Sequence, residues 1–227
     1  MLKQVGFPPM ALAMIRSENP HLAHRSPRGK AVWFVVLSLT LASAACSGPK
    51  PSVATPATAS AHASDFYPLT KGWRWAYDVE RDGQTVLATF AVAERQGALA
   101  TVLSGDAEIR YYVSDQGVAH AMGQGAGDYE LREPLARGTT WPVEGGHATV
   151  VATGETATVP AGIYNGCVVV EISRNEPPRV TRTTFAPFVG PVIIDQQVVD
   201  PAGGAAHTRA VLRGLTQPGS DPFAAAP

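Results

Sequence analysis

From residue 73 onward, large apolar residues alternate with polar ones in short runs separated by turn residues. A period of two is the periodicity of a β-strand, in which every second side chain lies on the same face. The first run places four side chains on one face: Trp73, Trp75, Tyr77 and Val79. Asp82-Gly83 follows, and both residues tolerate the positive φ of a tight hairpin turn. We therefore expect the chain to return as a second strand over 85–94.

The same style of pattern continues to residue 215 without the 3.6-residue period of a long helix. Further strands are expected over 99–103, 108–114, 118–122, 147–153, 156–160, 163–173, 180–185, 191–199 and 206–215. The sequence predicts one all-β domain over 65–217, an antiparallel curved sheet or partly open barrel or sandwich of about ten strands. Residues 218–227 are expected to be a disordered tail.

The glycine-rich stretch 123–127 resembles a phosphate-binding turn only superficially. No helix pattern follows it, so the helix N-terminus that would hold a phosphate is missing. We expect a flexible loop here.

One motif, Pro-Leu-x-Lys/Arg-Gly-x-x-Trp, occurs twice, at 68–75 and at 134–141. Proline fixes φ, glycine can supply a left-handed turn residue, and tryptophan buries a large ring at the start of a strand. The motif therefore predicts a tight turn that leads into a strand. Two explanations stay open: one turn type used twice, or two similar halves packed together.

Ahead of the β pattern, residues 25–46 have the order of an export signal: basic residues, an apolar run over 31–41, small residues and then Cys46. A spanning helix needs about 20 apolar residues, so this shorter run favours a cleaved signal. Its ending resembles a bacterial lipobox, which predicts lipidation of Cys46. Ser43 departs from the leucine preferred there, and Ser43-Ala44-Ala45 also fits an ordinary signal peptidase site. Residues 1–24 are interpreted as an over-long start.

Residues 47–64 are rich in Ala, Ser, Thr and Pro and cannot bury a core. As a flexible tether they would span about 25 Å. Removal of residues 1–45 takes away five of the 18 basic residues and one of the 19 acidic ones, which leaves a net charge near −5. This balance argues against nucleic acid as a partner, because nucleic acid requires a basic surface.

The two cysteines of the chain are Cys46 and Cys167. Lipidation of Cys46 would leave Cys167 alone, whereas a plain secreted chain would allow a disulfide between them. Cys167 stands in the apolar run Cys-Val-Val-Val, which favours a buried thiol over a nucleophile. The histidines of the mature chain lack metal-ligand spacing, so we expect no metal site. The chain has no Gly-x-Ser-x-Gly elbow, and we expect no cofactor and no catalytic residue.

Three groups of residues resemble a family of bacterial envelope lipoproteins, the TapB-like domain and related domains of unknown function. They are Tyr67-Pro68-Leu69 with Gly72 and Trp75-Ala76-Tyr77, then 159–164 with Cys167 and Val169, and then Phe185-Ala186-Pro187 with Val189-Gly190 and Val192. The resemblance covers about residues 66–215 and implies an all-β envelope domain. It implies no catalytic residue.

Two groups of side chains are candidates for a ligand or partner surface. The stripe of Trp73, Trp75 and Tyr77 could line a groove, although the core face of a strand is the alternative. The three arginines that flank the turn at 175–178 could contact an anion, although a solvated rim is the alternative: Arg174, Arg179 and Arg182.

The sequence thus predicts a non-enzymatic envelope lipoprotein, held by lipid on Cys46, that acts in binding, scaffolding or assembly. The outer membrane, facing the periplasm or the surface, is the expected location. Partners would be the membrane and another envelope protein. An alternative is a carrier or chaperone of a hydrophobic ligand, similar to LolA and LolB, which requires an apolar cavity in the curved sheet. A secreted hydrolase is a third class and would require a nucleophile or a metal cluster in one cleft.

Overall fold

The computed structural model describes residues 61–199 and 204–219. A short 3₁₀ helix, Ala63–Asp65, precedes twelve β-strands. The strands are β1 (Arg74–Arg81), β2 (Gln84–Gln96), β3 (Leu99–Ser104), β4 (Ala107–Ser114), β5 (Gly117–Met122), β6 (Gly125–Arg132), β7 (Thr140–Val143), β8 (Gly146–Val159), β9 (Gly162–Asn175), β10 (Pro178–Ala186), β11 (Gly190–Val199) and β12 (Ala205–Thr216). Within the described ranges, no helix has the length and apolarity required to cross a membrane.

All strands belong to one antiparallel sheet, in the order β6-β5-β4-β3-β2-β1-β12-β11-β10-β9-β8-β7. The chain therefore forms two meanders of six consecutive strands, β1–β6 and β7–β12, which are joined where β1 pairs with β12. The sheet curls until its two outer strands, β6 and β7, face each other. This confirms the predicted all-β class, as a nearly closed barrel with slightly more strands than expected.

Side chains bridge the seam between β6 and β7, which no strand ladder closes. Trp141 Nε1 on β7 donates to the carbonyl oxygen of Tyr129 on β6 at 3.0 Å. Asp128 Oδ1 accepts the backbone N–H of Glu144 at 2.9 Å, and its Oδ2 lies 2.8 Å from Arg174 Nη2. The contacts hold two strand edges together that would otherwise expose unpaired backbone groups.

The strands that the sequence pattern missed lie at this seam. Residues 125–127, expected as part of a flexible loop over 123–127, open β6, and 140–143 form β7. The glycines serve close packing here, since a Cβ on Gly127 would lie 3.1 Å from the carbonyl oxygen of His120 on β5. The two strands expected at 147–153 and 156–160 are one strand, β8, interrupted by three irregularities in its pairing with β9.

The repeated motif forms the same turn twice. In the first copy, Gly72 N–H donates to Val92 O at 3.0 Å and Val92 N–H donates to Trp73 O at 2.8 Å. In the second copy, Gly138 N–H donates to Val150 O at 2.8 Å and Val150 N–H donates to Thr139 O at 2.9 Å. The two glycines have φ values of +97° and +90°, which glycine adopts without a Cβ clash. Each turn opens one of the two six-stranded meanders.

Candidate functional site

The barrel has two ends, defined by the direction of its strands. At the proximal end lie residues 61–73, the start of β1 and the turn between β10 and β11. At the distal end lie the turns that join β1 to β2, β5 to β6, β7 to β8 and β9 to β10, since each of these strand pairs turns at the opposite end from Arg74. The two ends differ in the chemistry that they expose.

The aromatic stripe lies in the core and not on a surface. Trp73, Trp75 and Tyr77 are all buried, and the rings of Trp73 and Trp75 stack with centroids 5.6 Å apart. Trp75 Nε1 donates to Val189 O and the Tyr77 hydroxyl donates to Pro191 O, both at 2.7 Å. These side chains are therefore closed to a partner at the surface, and the alternative of a core face accounts for the stripe.

Tyr67 is the centre of this core and enters it from the segment before β1. Its ring contacts Trp75, Tyr111 and Phe185 at centroid distances of 6.0, 5.2 and 6.1 Å. Burial, followed by the neighbouring Tyr111, raises the pKa of Tyr67 well above its ordinary value. Tyr67 is thus a neutral phenol that fills the interior of the barrel near its proximal end.

The proximal end is closed by the chain itself. Ala63 is buried, and its N–H donates to Glu133 Oε1 at 2.5 Å. Phe188, in the turn between β10 and β11, donates its N–H to Asp65 O at 2.6 Å. Phe188 has a φ of +59° and a largely exposed side chain. The first described residues therefore lie at the proximal end. Cys46 lies outside the described residues.

The three predicted arginines do not form one surface. Arg174 and Arg179 are directly opposite each other on β9 and β10, on the same face as the core residues Val170 and Thr183. Arg182 lies on the outer face, where it pairs with Glu171 at 2.7 Å. Because successive strand residues face opposite sides, Arg179 and Arg182 cannot share a face. The structure brings two of the three together, at the distal end.

Arg174 and Arg179 have different surroundings. Arg174 is bound at the seam by Asp128 and by the carbonyl oxygen of Glu144. Among the described residues, no carboxylate oxygen lies within 4.0 Å of the Arg179 guanidinium. Burial, followed by the neighbouring Arg174, lowers the pKa of Arg179, and Glu130 opposes this shift. Arg179 is therefore a half-buried cation without an ion pair to any described residue.

Two exposed apolar side chains lie on the inward face at the distal end. Val86 is directly opposite the buried Val79 and therefore shares its face, yet it is 53% exposed. Met122 lies two residues beyond His120, whose ring stacks on the core residue Tyr111, and Met122 is 74% exposed. The inward face thus ends in apolar groups open to solvent. The sequence pattern could not mark these residues, because by alternation they belong to the core.

A partly buried pair lies deeper on the same side of the barrel. His120 Nε2 on β5 is 2.7 Å from Glu130 Oε1 on β6. An irregularity in the pairing of β5 with β6 leaves Glu130 without a cross-strand partner. Glu130 Oε1 thus has His120 as its close partner, and the Glu130 charge acts on Arg179 only through space.

The outer face carries an open groove of about 430 Å³ between β8 and the strands β9–β11. Its floor includes Ala152, Val169 and Ile193, and its rim includes Glu155 and Arg182. The turn of the β8–β9 hairpin, at the proximal end, contacts β12, where Ala161 N–H donates to Leu212 O at 3.1 Å.

Cys167 is buried, as the sequence predicts, and is free among the described residues, with its Sγ 3.4 Å from the carbonyl oxygen of Tyr164. Burial raises its pKa to about 11. No group of three or more His, Cys, Asp or Glu in the described part of the chain could hold a metal ion.

Comparisons with family models and with curated proteins give no match. The resemblance to TapB-like domains therefore stays a prediction. Several solved structures are similar to this chain at low sequence identity. A protein of Bacteroides fragilis described as exported, with a YmcC-like fold, is 15% identical with a TM-score of 0.40, over 65% of this chain and 97% of the other. A lipoprotein of Parabacteroides distasonis is 13% identical with a TM-score of 0.39, over 66% and 98%. MucB in complex with MucA(peri) is 13% identical with a TM-score of 0.33, over 68% and 55%.

Proposed function

We propose that this chain is an exported lipoprotein, anchored through Cys46, whose barrel is a non-enzymatic binding module in the cell envelope. The observation that carries the proposal is the order of residues 25–64: basic, apolar, small, cysteine and then a polar tether. The outer membrane is the proposed location, since Ser47 after the cysteine fits outer-membrane sorting.

The position of the first described residues supports an orientation. Residues 61–65 contact the proximal end through Glu133 and Phe188. An anchor attached through Cys46 would therefore hold the proximal end toward the membrane. The distal end would point away, where an envelope partner or ligand can reach it.

The filled interior favours a ligand that binds at the distal rim. It disfavours a carrier that holds a hydrophobic ligand inside the curved sheet. Aromatic rings occupy the space beneath the concave face, with Tyr67 in contact with rings from β1, β4 and β10. Native mass spectrometry of the purified chain tests this choice. A co-purified lipid that survives in a variant lacking the rim residues would favour the carrier.

The anchor is tested with the two cysteines of the chain. Cys46→Ala should abolish metabolic labelling by palmitate and release the protein to the soluble fraction. Cys167→Ala is the matched control and should keep both the label and the membrane association, because its thiol is buried. Membrane retention of Cys46→Ala with the signal removed would contradict the lipoprotein proposal.

A further inference from the structure

At the distal end, two arginines lie directly opposite each other, and their like charges lower the stability of the sheet. Arg174 and Arg179 are cross-strand neighbours on the inward face, and like charges directly opposite each other destabilise a sheet. Partial burial adds a desolvation cost, which lowers the pKa of Arg179. An arrangement of this kind is stable when anions compensate both charges.

Only one of the two charges is compensated within the described residues. The Asp128 carboxylate lies 2.8 Å from Arg174, and the Glu144 carbonyl oxygen accepts a further N–H of the same guanidinium. Glu130 acts on Arg179 only through space, since neither of its carboxylate oxygens lies within 4.0 Å of the guanidinium. Arg179 therefore keeps its donors for a group from outside.

We propose that the distal end binds a ligand carrying an oxyanion, a carboxylate or a phosphate, next to an apolar portion, with Arg179 as the anion anchor. The inference rests on the proposed binding role of the barrel and names the ligand class. A guanidinium offers two parallel N–H donors to such an anion, and this bidentate geometry is stronger than a neutral hydrogen bond. Arg174, fixed at the seam, adds positive potential without giving up its own partners.

The apolar portion follows from the residues that line the inward face at the same end. Val86 and Met122 expose apolar side chains at positions that alternation assigns to the interior. Methionine is flexible and fills irregular apolar contacts, so it suits a ligand chain of variable shape. The Met122 side chain lies beside Gly127, whose neighbour Asp128 binds Arg174, so a ligand that combines an anion with an alkyl group would satisfy Arg179 and cover Met122 at once.

Three probes separate the two parts of the site: octanoate, which has both; inorganic phosphate, which has only the anion; and octyl glucoside, which has only the alkyl chain. Titration calorimetry uses the full chain in the Cys46→Ala background, so that the outcome does not depend on lipidation. Octanoate should bind more tightly than phosphate, and octyl glucoside should bind at least tenfold more weakly than octanoate.

The variants assign the binding to Arg179. Arg179→Gln should weaken octanoate and phosphate at least tenfold, whereas Arg182→Gln, the outer-face control, should leave both unchanged. Arg179→Lys keeps the charge but loses the bidentate geometry, so it should give an intermediate loss and also serves if the glutamine variant does not fold. Met122→Ser should weaken octanoate and leave phosphate unchanged.

Four outcomes overturn the proposal: no binding of octanoate, equal binding of octyl glucoside, unchanged octanoate binding in Arg179→Gln, or an equal loss in Arg182→Gln. Each of them leaves the anchor experiment on Cys46 unaffected. A failure of lipidation in turn leaves this titration unaffected, so the two proposals fail separately.

Discussion

The two six-stranded halves open with the same backbone turn but use it for different packing. In each half, a glycine with positive φ donates its N–H to a valine on the second strand of that half, and the residue after the glycine accepts the N–H of the same valine. A buried tryptophan then follows on the first strand of the half. Trp75 then stacks on Trp73 in the aromatic core. Trp141 has Thr139 at the place of Trp73, and its ring N–H bonds across the seam to Tyr129.

The difference shows that the motif specifies a turn and a buried tryptophan, and that the neighbouring side chains decide what the tryptophan holds together. The two indole N–H groups both reach a backbone carbonyl, at 2.7 Å and 3.0 Å, as buried indoles require. One joins β1 to the turn before β11, and the other joins the two sheet edges. We interpret the halves as structurally equivalent at their starts and divergent after them.

The largest expected effect comes from removing the two tryptophans. Trp75→Ala should lower the free energy of unfolding by about 5 kcal/mol and Trp141→Ala by about 3 kcal/mol, the two ends of the usual range. Trp75 loses contacts with two aromatic rings, whereas Trp141 has no aromatic ring pair among the described residues. Urea denaturation measures both. An equal or larger loss for Trp141→Ala would place the structural centre at the seam.

The two turn glycines should contribute equally to the free energy of unfolding, whereas the two tryptophans should contribute unequally. Gly72→Ala and Gly138→Ala should each lower the free energy of unfolding by about 1–2 kcal/mol, since alanine disfavours positive φ. The space around them does not separate them, because a Cβ would meet only ordinary contacts at Gly72 and nothing within 4 Å at Gly138. Gly214→Ala in β12 is the control and should cost nothing measurable. Losses that differ by more than about 1 kcal/mol would mean that the turns are not equivalent.

The seam itself should matter less than either turn. Asp128→Asn weakens the contact with Arg174 and should cost about 1 kcal/mol, in line with a hydrogen bond to a charged group that solvent still reaches. Asp78→Asn is the control, because its partner Arg213 is mostly exposed and such pairs contribute less than about 1 kcal/mol. Hydrogen exchange should accelerate in β6 and β7 only for Asp128→Asn. Uniform acceleration in both variants would show that Asp128 does not act locally.

Alternation in the sequence predicted most of the strands because one face of each is buried. It failed for β6, where glycines, Asp128 and Glu130 interrupt the apolar pattern. This strand is specified by its partner β5 and by the seam, which are contacts distant in sequence. β7 failed for a related reason, since four residues are too short to show a period.

The candidate site was predictable only in part. The sequence marked Arg174 and Arg179 because they flank a turn, but it grouped them with Arg182, which alternation places on the other face. The missing partner of Arg179 depends on where Asp128, Glu130 and Glu144 lie in space. A spacing along the chain cannot supply that information.

The smallest change in stability at neutral pH is expected for Cys167→Ala, a substitution in the second half. The most deeply buried tyrosines belong to the first half: Tyr67, Tyr77 and Tyr111. A folded-state pKa of about 11 lies above that of an unfolded thiol, about 8.5, so the unfolded state loses its proton first. The unfolded state then binds fewer protons, and stability falls as pH rises between these values. Cys167→Ala should stay within about 1 kcal/mol of the parent at pH 7 and fall less steeply from pH 9 to 11.

The tyrosines provide the contrast for that measurement. Burial raises the pKa of Tyr67 and Tyr77 well above the ordinary value, so their contribution also falls with rising pH, but only above about pH 10. The variant should therefore keep the steep loss above that pH, because all three tyrosines are still present. Urea denaturation across pH 7–11 separates the two windows. If the free energy of unfolding falls with pH equally steeply between pH 9 and 10 in Cys167→Ala and in the parent, the thiol already titrates in the folded barrel. Solvent would then reach the second half at a depth at which it does not reach the first.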